Sequence, residues 1–152
     1  MYSSDESVDA RFEECASTAL DELLALNPEW ASSLGDHRFD GRLGDASDVG
    51  RAQRSSAISR ILSEVDAIDD SDLSLANAVD AEILRDALVS EQFRLERLRD
   101  FSWNPLVSNP GSAIYQLIAR DYAPVEQRFE SLASRLSEIG RASCRERVYL
   151  RV

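Results

Sequence analysis

The residues of this chain best suited to chemistry lie in one short run, Asp36-His37-Arg38-Phe39-Asp40. It holds the single histidine of the sequence. An imidazole set among carboxylates can move a proton near neutral pH, and it is also a common metal ligand. Zinc, however, takes three or four protein ligands, and His37 has no second imidazole to join. Two readings remain. In one, His37, Arg38 and Asp40 form part of a polar, substrate-facing loop held by a scaffold. In the other, which is the default, Asp36, Arg38 and Asp40 pair locally and His37 hydrogen-bonds backbone.

Other candidates are weaker chemistry. Cys15 follows Glu13-Glu14. Neighbouring carboxylates oppose thiolate formation, so Cys15 reads as a core thiol rather than a nucleophile. Asp69-Asp70-Ser71-Asp72 lacks the glycine and terminal glutamate of a calcium loop and suits a helix cap. Trp103-Asn104-Pro105 and Asn109-Pro110-Gly111-Ser112 read first as turns, with Asn109 and Tyr115 as candidates for a substrate-channel wall. There is no phosphate-binding glycine loop and no Ser-His-Asp order. From the residues themselves, catalytic, cofactor-binding and metal-binding positions are all expected to be absent.

The elements that must position these residues are helices. Val8, Phe12, Ala16, Ala19, Leu20, Leu23 and Leu24 recur at three- and four-residue steps, with Ser3 and Glu6 as a capping box and Pro28 as the far boundary. Trp30 to Asp45, with three glycines, reads as a structured loop. A second helix is expected over about Ser47–Ile68, with Ala57, Ile58, Ile61, Leu62, Val65 and Ile68 inward. A third, over about Leu73–Phe101, turns Val79, Ile83, Leu84, Ala87, Leu88, Leu95 and Leu98 inward. Ala113–Ile118 is a short apolar segment. Pro124 opens a last helix carrying Val125, Phe129, Leu132, Ala133 and Leu136. No segment alternates as a strand does. The expected class is all-α, four to five amphipathic helices packing on each other or on further chain.

Composition narrows the partners. The formal charge is −11, and all 17 basic residues are Arg. That sign repels phosphate backbones and anionic lipid, so neither nucleic acid nor membrane is expected. Arg without Lys suggests a GC-rich, actinobacterial source. Cys15 and Cys144 give no disulfide framework, and Met1–Asp9 has no apolar core of a signal peptide. A cytoplasmic location is expected.

Three stretches together resemble the N-terminal part of the domain-of-unknown-function 885 family: Pro28–Ala31 leading into Leu34–Asp40, then Asp80–Leu88, then Trp103–Tyr115 running into Ala119–Pro124. The resemblance implies a mostly helical protein similar to zinc-dependent, carboxypeptidase-like metallopeptidases. Their metal site would be a His-Glu-x-x-His-type helix far downstream, absent from this sequence. Zinc and a peptide substrate would then belong to the full-length parent. Residues 1–137 would be the N-terminal helical part of a truncated larger domain, inactive alone, whose main partner is the missing C-terminal part of its own chain. Ile139–Val148 resembles the translation of a common sequencing adapter, so residues 138–152 are expected to be a non-natural tail. Residues 138–152 hold four Arg and two Glu, so the rest carries 13 basic and 26 acidic residues, a charge of −13. The alternative is a free-standing acidic helical interaction module that docks a partner helix on one exposed apolar stripe.

Overall fold

In the computed structural model, which describes residues 7–145, the backbone is helical and the described residues include no strand. The all-α expectation holds. The described residues form six α-helices rather than four or five.

The chain forms two compact units, each built from two separated segments. The first comprises Met1–Leu23 and Gln53–Asp100. Helix α1 spans Val8–Leu26. Ser7 caps it, its hydroxyl accepting from the Ala10 amide at 3.1 Å, which satisfies a donor that every helix start leaves open. The expected Ser3–Glu6 box lies outside the described residues. Helix α3 spans Asp48–Asp66, and α4 spans Leu75–Phe93. Between α3 and α4, the Asp69 side chain accepts from the Ser71 amide and starts a 3-10 turn, Asp70–Asp72. Ser74, not this acidic run, caps α4. The first part of the long third helix is α4. Arg94–Leu98 then widens into a π turn, and Arg99 stops it in the left-handed region at φ 48°.

Phe12, Ala19 and Leu23 of α1, Ile58, Ile61 and Val65 of α3, Ile68, and Ala81 and Leu88 of α4 form one buried cluster. Leu62, Leu84, Leu95 and Cys15 pack on its margin. Val79, Ile83, Ala87 and Leu98, expected inward, are exposed instead. Helix α4 is apolar on more than one side, and the Ala81–Leu84–Leu88 side takes the core.

The second unit comprises Leu24–Ala52 and Phe101–Val152. Where a loop was expected, Pro28–Leu34 forms helix α2. Pro28 stands at its first turn, where no amide is needed, and Gly35 ends it at φ 91°, a conformation that costs a residue with a Cβ. Asp36 accepts from the Arg38 amide and starts the 3-10 turn His37–Phe39. Ser47 accepts from the Gly50 amide at the start of α3. A Cβ on Gly50 would collide with the Asp45 carbonyl. Asn104 and Asn109 each cap their own turn, accepting from the Leu106 and Gly111 amides. Helix α5 spans Gly111–Ala119, and α6 spans Val125–Arg145.

Helix α6 departs from the expected stripe. Val125, Phe129, Ala133 and Leu136 are exposed and Leu132 is half-buried, while Arg135 is wholly buried. Its polar side packs against α5, and its apolar side is open. The cause is Arg135, whose guanidinium finds three acceptors inside the unit.

Candidate functional site

The second unit gathers a polar cluster around the 3-10 turn. Asp40, at the end of that turn, is 4% exposed. Burying a carboxylate costs several kcal/mol unless it is hydrogen-bonded, and both of its oxygens are served. Its Oδ1 accepts from Ser32 Oγ of α2 at 2.6 Å. Its Oδ2 lies 2.9 Å from His37 Nδ1. A carboxylate can only accept, so Nδ1 is the donor of this bond when Asp40 bears its charge. The ring is held on its face as well as its edge: Tyr122 stacks on it, with centroids 3.5 Å apart and planes 3° from parallel. The His37 side chain is 31% exposed, against a buried Asp40.

Arg135 closes the cluster from α6. It is 0% exposed. Its Nη1 donates to the Ala113 carbonyl at 3.1 Å, and its Nη2 donates to Ser32 Oγ at 2.8 Å and to the Phe39 carbonyl at 3.3 Å. Ser32 therefore relays between a buried cation and a buried anion. Burial lowers the Arg135 pKa, against the nearby charges of Asp40 and Glu29. The Tyr122 hydroxyl is buried and meets no partner at hydrogen-bonding geometry. Burial first, and the adjacent Asp40 next, push its pKa up to about 12.

The remaining candidates fall elsewhere. Arg38 faces out and is forked onto Asp36, with Nη2–Oδ2 at 2.7 Å. Asn109 makes its turn, and Tyr115 is exposed on α5. His37 and Asp40 are thus brought together, while Arg38, Asn109 and Tyr115 are not joined to them. The Arg38–Asp36 pair is local, as the default reading has it, but Asp40 bonds His37 and Ser32 of α2, and His37 bonds this carboxylate rather than backbone. Sequence reasoning missed Ser32, Tyr122 and Arg135. An arginine within a helix otherwise read as apolar was the available signal for the last.

In the first unit, Cys15 is half-buried, and burial pushes its thiol up, with Glu64 acting the same way. That environment disfavours the thiolate. Among the described residues, no group of three or more His, Cys, Asp and Glu side chains could hold a metal ion. The described residues do not fit a zinc centre, since His37 supplies one of the three or four protein ligands that zinc takes. No helix among the described residues is long and apolar enough to cross a membrane.

The cluster is thus a group of buried and half-buried polar side chains fixed on an all-α framework. The chain belongs to the family described as "Bacterial protein of unknown function (DUF885)", whose model matches residues 28–152. No curated protein matches it. The fold is similar to the solved structure of a candidate lipoprotein of unknown function from Shewanella oneidensis, at 22% identity and a TM-score of 0.81. The likeness covers 88% of this chain and 25% of that one, so the chain spans a quarter of the length of its structural neighbour.

Proposed function

We propose that this chain is the N-terminal scaffold of a longer protein resembling zinc-dependent, carboxypeptidase-like peptidases, and that it holds no catalytic or metal-binding residue itself. The open apolar side of α6 carries the reading. Val125, Phe129 and Leu136 face outward while Arg135 of the same helix is buried. An exposed apolar stripe of this kind marks a surface that another part of a protein covers. A structural neighbour of which the match covers only 25% supports the reading. In it, zinc and the water it activates belong to the remainder of the parent, which is also what covers α6, and the peptide is the parent's substrate. The His37–Asp40 pair supplies one rigid polar wall of the peptide channel.

The test uses the purified chain with zinc and a panel of short peptides. No retained zinc and no release of C-terminal residues are expected. Zinc-dependent hydrolysis by this chain overturns the reading. An environment-sensitive apolar dye should bind, and Phe129→Glu should reduce that binding with helicity intact. Cell fractionation tests the expected cytoplasmic location, and recovery with membranes, as for a lipoprotein, would overturn it. The second reading, an acidic interaction module, is favoured by a different surface, on α4.

A further inference from the structure

The first unit needs only one side of α4. Ala81, Leu84 and Leu88 face its core. On the other side, Leu75 at 84% exposure, Val79, Ile83, Val89 and Phe93 stand open. At 3.6 residues per turn these five positions fall within roughly 120° of the helix surface. Two exposed carboxylates, Glu82 and Asp86, lie inside the same sector. Among the described residues neither pairs with a cation, because the neighbouring arginines are committed. Arg85 holds Asp66 and Asp70, and Arg94 holds Glu91. Arg97 lies beyond the helix, in the π turn.

The charge of the chain is distributed to match. The first unit has 7 Arg against 18 Asp and Glu, a formal charge of −11. The second has 10 of each and is neutral. All of the net charge therefore sits in the unit that carries this face.

We propose that the open face of α4 is a docking site for a basic amphipathic helix. Its apolar residues would cover Leu75, Val79, Ile83, Val89 and Phe93, and its Lys or Arg residues would meet Glu82 and Asp86. Apolar anchors at helical spacing are how a helix is read by a partner surface. Complementary charge sets which helix is accepted and how fast it arrives. The proposal does not depend on the peptidase reading.

The test is a titration of the purified chain with a synthetic Leu/Lys amphipathic peptide, beside a Leu/Glu peptide of the same pattern. One-to-one binding of the first and none of the second is expected. The double substitution Glu82→Lys/Asp86→Lys should weaken binding at least about tenfold, because two attractive contacts become repulsive. Ile83→Asp should weaken it similarly. These side chains are exposed, so helicity should not change, and Phe129→Glu on α6 should leave binding intact. Equal binding of both peptides overturns the proposal. So does binding lost with Phe129→Glu but kept in the α4 variants. Self-association abolished by Ile83→Asp, with no peptide binding, would assign the face to a second copy and overturn it as well.

Discussion

Replacing Arg135 by Met keeps most of the side-chain stem and removes the guanidinium. Three acceptors then lose their donor: the Ala113 carbonyl, the Ser32 hydroxyl and the Phe39 carbonyl. Each buried acceptor left unpaired costs about 1–3 kcal/mol. Ser32 still donates to Asp40, so two carbonyls carry most of that loss. Asp40 also loses its nearby buried cation, and breaking a buried ionic arrangement from one side costs about 3–5 kcal/mol. These costs overlap, so the expected destabilisation is about 3–5 kcal/mol, a large share of a small unit's stability. Both tryptophans, Trp30 and Trp103, lie in the second unit, so urea unfolding followed by tryptophan fluorescence reads the affected part. Pairing Arg135→Met with Asp40→Asn should cost less than the sum of the single changes, since the two charges act as one arrangement. A loss below about 1 kcal/mol, or strict additivity, would refute the account of Arg135 as the closure of the cluster.

Tyr122 should ionise near pH 12 in an ultraviolet titration, later than an ordinary tyrosine, and Tyr122→Phe should remove that late step. The folded group holds its proton longer than the unfolded one, so stability should fall as pH rises from about 10 to 12. Asp9, Asp69 and Asp70 are held below the usual carboxyl range, chiefly by the Ser74 amide, the Ser71 side chain and Arg85 respectively. Their contribution is present above pH about 4 and should be lost as pH falls below it, seen as acid loss of helical circular dichroism. Ile61→Ala, in the fully buried α3 stripe, should cost about 2–5 kcal/mol in thermal or urea unfolding. Nitrogen NMR of the single histidine should find the neutral ring protonated on Nδ1, and Asp40→Asn should shift that tautomer balance. An Nε2-protonated ring in the unaltered chain would contradict the geometry.

Periodicity made the first unit readable. Every expected inward residue from Ala57 to Ile68 on the second helix is buried or half-buried, because α3 has one apolar side and one place to put it. Helices α4 and α6 were legible as helices but not as faces. Apolar spacing says that a stripe exists and not which neighbour it meets, and on α6 the covered side is polar. Helix α2 was hidden by its length: its seven residues, from Pro28 to the one before Gly35, do not complete two full periods. At the site, His37 and Asp40 lie three apart and were both candidates, but their pairing with each other was not foreseen, since His37 was expected on backbone. Ser32, Tyr122 and Arg135 were not candidates, since Arg135 meets Ser32 across 103 residues and Phe39 across 96, and spacing carries no information over such distances.

Those separations also set an order of events. The first unit is complete in sequence at Asp100, whereas the second begins at Leu24 and cannot be closed by Arg135 until α6 has been made. During synthesis, Leu24–Ala52 must wait as an unfinished excursion between the two segments of the first unit. At ordinary elongation speeds the wait from Asp100 to Arg135 is a few seconds, long compared with the folding of a small helical unit. Throughout that interval Asp40 has Ser32 and His37 but no cation. Until α6 is made, the 3-10 turn lacks the Arg135 contact that closes it, and a chain stalled before α6 would display it to chaperones and proteases.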